Sequence, residues 1–130
     1  MLETRPARVL RQENEAEPEM TSVAANDLLP LTPVVFHTLL TLVDGASHGY
    51  AIARTVEERT DNRVRMGPGT LYGSLSRMTG MGLIEECGDS GNGERRRNYR
   101  LTDLGRDVLE REARRLEGEV EILRSKKVLS

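Results

Sequence analysis

The chain has 130 residues, of which 37% are hydrophobic but only 3% aromatic, and its formal net charge is −2. That length fits one domain with appendages, and the scarcity of rings requires an aliphatic core. The single cysteine, Cys87, excludes an internal disulfide. With no apolar run near the ~18 residues of a membrane span and no signal-peptide stretch at the start, a cytoplasmic protein is expected.

Residues 1–27 hold 6 acidic and 3 basic groups and are interrupted by Pro6 and Pro18. They have too little apolar surface to bury, which predicts a mobile acidic tail. The run LTPVVFHTLLTLVDG follows. Thr32 is a suitable N-cap and Pro33 a suitable first helical residue, with Asp44-Gly45 as the stop. Val34, Val35, Phe36, Leu39, Leu40, Leu42 and Val43 surround this helix almost completely. A helix that is apolar all round is buried on several sides. In so small a domain, one of those sides is expected to meet a second chain.

A second helix is predicted from about Ser47, with Tyr50, Ile52, Ala53 and Val56 as its buried side. The third begins in MGPGTLYGSLSRM, where Gly67 serves as cap and Pro68 as the first residue. Leu71, Leu75 and Met78 form its apolar stripe, while Thr70, Tyr72, Gly73, Ser76 and Arg77 lie off it. Leu83 to Cys87 and Arg95 to Leu101 then read as two strands about the turn-rich DSGNG, which makes a β-hairpin. A last helix runs from Thr102 to about Lys127. Along it Leu109, Ala113, Leu116, Val120 and Leu123 recur at spacings of 4, 3, 4 and 3, a coiled-coil type of seam.

Charge is uneven along the chain. Residues 62–101 hold 7 arginines against 4 carboxylates, a local net of +3. Such an excess matters more to a polyanionic partner than the global sign does. No catalytic or metal-ligating constellation accompanies it. His37 and His48 are 11 positions apart on separate helices, and GPGTLYG lacks the Gly-Lys-Ser/Thr end of a phosphate loop. Neither an enzyme nor a cofactor is expected.

Three helices, a hairpin and a last helix make a mainly α fold with a small β-hairpin. This is the order of a winged helix-turn-helix, whose third helix enters the major groove. The expected division is a DNA-binding domain over 28–101 and a dimerisation helix over 102–130. Three motifs make the chain resemble the PadR family of transcriptional regulators. They are HGYAIAR (His48 to Arg54), GPGTLYGSLSRM leading to GLIEE (Gly67 to Glu86), and RRRNYRLTDLG (Arg95 to Gly105). The resemblance implies a homodimeric repressor of double-stranded DNA, in some members released by a small effector between subunits. The chain departs from the family pattern at Gly67, Gly73, Ser76, Gly80 and Asn98.

On this reading the DNA-facing candidates are His48, Thr70, Tyr72, Ser76, Arg77, Arg95, Arg96 and Arg97. Hydroxyls and arginine forks suit phosphates and base edges. Several of these residues have a plain structural alternative. Tyr72 can lie over the wing or the second helix, His48 can bond local backbone, Arg77 can pair with a carboxylate, and Arg95 to Arg97 can form a solvated face. The dimer candidates are Val35, Leu39, Leu109, Ala113, Leu116, Val120 and Leu123. A competing reading is a winged-helix protein-interaction module that no longer binds DNA.

Overall fold

A computed structural model describes residues 25–89 and 97–130. In chain order they form α1 (Pro33–Leu42), β1 (Ser47–His48), α2 (Gly49–Arg59), α3 (Pro68–Gly80), β2 (Ile84–Asp89), β3 (Arg97–Leu101) and α4 (Asp103–Ser125). The mainly α fold with a β-hairpin is therefore present, as the winged helix-turn-helix order predicts.

Local chemistry sets most boundaries. Thr32 caps α1 by accepting the Val35 N–H at 3.3 Å, and Pro33 opens the helix. α3 starts at Pro68 behind Gly67, which supplies no side-chain bond. Its far end is a Schellman closure. Gly82 takes φ +80°, its N–H bonds Thr79 O at 3.0 Å, and the Leu83 N–H bonds Met78 O at 3.0 Å. Thr102 caps α4, accepting the Gly105 N–H at 2.9 Å while its hydroxyl lies 2.6 Å from Gly82 O.

The second helix differs from expectation at its start. Its cap is His48, whose Nδ1 accepts the Ala51 N–H at 3.3 Å, rather than Ser47. Ser47 and His48 are extended because they pair with the hairpin, Ser47 opposite Tyr99 and His48 opposite Asn98. The sheet is thus three-stranded among the described residues, in the order β1-β3-β2 and antiparallel throughout. Between the Glu86–Tyr99 and Asp89–Arg97 pairs β2 carries one extra residue, a bulge with Gly88 at φ +62°. The hairpin tip, with Arg95 and Arg96, lies outside the described residues.

The core is aliphatic. Leu39, Ile52, Val56, Leu71, Leu75, Met78, Leu83, Ile84 and Val108 are fully buried, and Tyr99 is the one buried aromatic ring among the described residues. Tyr50 is corrected here: it is 55% exposed, and Gly49 is buried instead, beside Ile52, Ala53 and Val56. The folded unit also begins before Leu28. Ala25 belongs to the core, and Asn26 Oδ1 accepts from Arg111 Nη1 at 3.3 Å. A buried carboxylate, Glu112, joins this edge to α4 by accepting the Leu31 N–H at 2.8 Å and Arg115 Nε at 2.5 Å. Burial pushes its carboxyl up, but the Arg115 and Leu31 hydrogen bonds outweigh that and hold it below its ordinary value.

Candidate nucleic-acid interface

α3 has two unlike sides. Leu71, Leu75 and Met78 hold it to the core, as their spacing requires, and Ser74 is buried beside them. Thr70, Ser76 and Arg77 are exposed. Arg77 Nη2 donates to Ser74 Oγ at 3.3 Å, one turn back along the same helix. A methyl placed on Gly73 would lie 4.0 Å from Arg77 Nη1. That is ordinary van der Waals contact, so the guanidinium lies along the helix, tied to a neutral acceptor.

Of the placements considered for it, Tyr72 takes the one over the second helix. Its ring is 42% exposed, yet its inner edge covers the start of α2. A Cβ added to Gly49 would meet the Tyr72 ring and hydroxyl at 3.1 Å. Tyr50 stands edge-on to Tyr72, with ring centroids 6.2 Å apart and planes at 88°. T-shaped pairs of this kind are favoured by the ring quadrupoles. Tyr72 thus braces α3 against α2, and Tyr50 enlarges the exposed aromatic surface.

On the wing, Arg97 is exposed and lies 3.7 Å from Glu86, while Arg100 Nε meets Glu85 at 2.6 Å. All four side chains are about half exposed or more. Pairs of that kind contribute only about 0–1 kcal/mol, so both arginines can exchange partners. Tyr99, beneath them, anchors the wing. Its burial, with Glu86 nearby, raises its hydroxyl pKa. His48 uses Nδ1 as a helix cap, which places any ring proton on Nε2 in the neutral form. The local-backbone alternative is therefore realised for this residue.

Three basic residues escaped assignment from the sequence. Arg63 and Arg65 are exposed in the turn just before α3, and Arg54 is exposed on α2. Among the described residues, none of these nor Arg77 forms an ion pair. For Arg63 and Arg65 the arginine excess of residues 62–101 was the available signal, while Arg54 lies outside that segment. The excess marked the segment without saying which side chains stay unpaired.

The expected dimer seam is partly open. Phe36 and Leu40 of α1 and Leu109, Ala113 and Leu116 of α4 line a groove of about 560 Å³, with Arg106 and Glu110 at its margin. Leu116 is 38% and Leu123 40% exposed, Val120 is half-buried, and Ala113 is exposed. Val35 is half-buried against the core. Leu39 is corrected: it is completely buried within its own chain and has no surface left for another. Phe36 and Leu40, one turn apart on the same side of that buried stripe, occupy the open face.

Comparison with known proteins follows this geometry. Residues 38–111 match the transcriptional regulator PadR-like family. A 37.1 kDa protein in transposon TN4556 of Streptomyces fradiae is 42% identical over 85 residues, which is 63% of this chain and 23% of that protein. The chain thus spans about a quarter of that relative's length. A PadR family transcription regulator from Clostridium difficile superposes with a TM-score of 0.62 at 27% identity, covering 72% of this chain and 97% of that one. Bacillus subtilis PadR, solved in complex with operator DNA, shares the fold with a TM-score of 0.55 at 24% identity, over 62% of this chain and 46% of that one. With the helix order, the wing and more than half of its length in agreement, the chain belongs to the PadR-like family of transcriptional regulators.

Proposed function

We propose that the chain is a sequence-specific DNA-binding regulator, acting as a homodimeric repressor on a palindromic duplex site. The observation that carries this reading is the two-sidedness of α3. Its apolar stripe is buried, and its opposite side shows Thr70, Ser76 and Arg77 with no bulky apolar group among them. Such a helix fits a major groove ~12 Å wide. Membership of the family supports the same reading, as does the operator complex of the B. subtilis protein.

In this reading α3 supplies sequence choice. Arg54, Arg63, Arg65 and the wing arginines Arg95, Arg96 and Arg97 supply phosphate contacts. Two-fold symmetry through the α1–α4 groove puts the two α3 helices about one duplex turn apart, ~34–36 Å. The same groove, apolar and between subunits, is where a small effector would act. The competing protein-interaction reading gains if Arg95 to Arg97 are tied up in intrachain salt bridges. Of the three, Arg97 is described, and its pair with Glu86 is exposed and weak. Among the described residues Arg54, Arg63, Arg65 and Arg77 form no ion pair, which supports DNA binding.

The test is selection of bound duplexes from a random pool, followed by fluorescence anisotropy across a salt series. An enriched palindrome bound more tightly than its scrambled version, with affinity falling steeply with salt, is expected. Affinity indifferent to both sequence and salt would reject this function.

A further inference from the structure

Tyr50 is the largest exposed ring on the DNA-facing side, and the proposed function leaves it without a role. It sits in the first turn of α2, 55% exposed, and its hydroxyl has no hydrogen-bond partner among the described residues. Tyr72 is different. Its hydroxyl turns back over Gly49, where an added Cβ would stand only 3.1 Å from it. The two rings meet edge to face at 6.2 Å. Of the pair, one hydroxyl is directed at its own chain and the other is open.

We infer that Tyr50 supplies the tyrosine hydroxyl that reaches the duplex, and that Tyr72 is the positioning residue that holds it. The inference rests on the DNA-binding reading and revises the division of labour within it. Tyr50 belongs to the helix beside the recognition helix, so it meets the rim of the groove and not the base edges. Its hydroxyl donates to a phosphate oxygen, a contact that sets register and carries no sequence information. The T-shaped contact with Tyr72 limits the rotamers of an otherwise exposed side chain, which lowers the entropy lost when it docks. Gly49 is part of the device. A side chain there would shift Tyr72 by a few tenths of an ångström and loosen the edge against which Tyr50 rests.

The test uses the full chain with the duplex selected by the wild type. Y50F should weaken binding about tenfold per half-site, the loss of one hydrogen bond to a charged acceptor in each subunit. It should do so equally for the selected and scrambled duplexes and leave the melting temperature unchanged. Y72F keeps the ring, so its loss should be clearly smaller than that of Y50F. Y72A should weaken binding, and in a double-mutant cycle its effect should largely vanish in the Y50A background. Wild-type affinity in Y50F, or a Y72F loss equal to that of Y50F, overturns the inference. If the wild type selects no duplex at all, the DNA-binding reading itself fails, an outcome distinct from a silent Y50F.

Discussion

A methyl group added at Gly49 would stand 3.1 Å from the Tyr72 ring, closer than side chains normally pack. Gly49→Ala is therefore expected to displace Tyr72 and weaken duplex binding several-fold. Because Gly49 is the first residue of α2, outside the helix interior where a glycine is costly, and Tyr72 has exposed space to shift into, stability should change little. Parallel anisotropy and thermal melts separate the two effects. Glu112 offers the opposite case, a residue whose loss is structural. Glu112→Ala leaves the Leu31 N–H and Arg115 without their acceptor and should cost about 1–3 kcal/mol in denaturant unfolding. Its carboxyl pKa is lowered on folding. The stability it contributes is therefore present above the ordinary carboxylate range and lost as pH falls through its lower folded value. His37 behaves in the same direction at higher pH. Burial, then Arg59, lowers its pKa below 6.5, and its Nδ1 is buried without a hydrogen-bond partner among the described residues. Its contribution is full above pH 6.5 and declines as pH falls below that value. Melting temperatures of wild type and His37→Gln between pH 5 and 7 should diverge in slope accordingly.

At the scale of elements, helix ends were legible because caps are local chemistry. Thr32-Pro33, Gly67-Pro68 and Thr102 all mark helix starts in the structure. Thr102 joins two elements, capping α4 and meeting Gly82 O at the end of α3. Thr102→Ala should cost about 1–2 kcal/mol, read as a lower denaturant midpoint without a change in slope. The glycines of the recognition helix act differently. Nothing lies within 4 Å of a Cβ at Gly80, so Gly80→Ala should raise stability by about 0.5–1 kcal/mol. Gly105 allows no such change, since its Cβ would lie 2.1 Å from Leu83 O. β1 was not legible. A two-residue strand has no periodicity to detect, and its partner lies some fifty residues away in the chain.

For the whole molecule the open question of assembly concerns the groove between α1 and α4. The Leu109 to Leu123 spacing pointed there, and the structure leaves Leu116 and Leu123 about two-fifths exposed. Leu116→Glu should convert a dimer into a monomer in sedimentation at micromolar concentration. It should also reduce duplex affinity by removing the second half-site contact. A wild-type chain that sediments as a monomer would remove the symmetric-operator proposal while leaving the fold untouched.

By itself the sequence determined the helices, the caps of all but α2, the hairpin, the buried stripe of α3 and the family motifs. These depend on neighbours three or four positions away or on turn chemistry. Tertiary structure alone decided that Tyr50 faces outward, that Leu39 is closed inside its own chain, that Ala25 joins the core, and that Tyr72 braces α2. Each of these outcomes depends on which helix face meets which neighbour. Periodicity identifies an apolar face, but the packing of distant segments fixes which of its residues are covered.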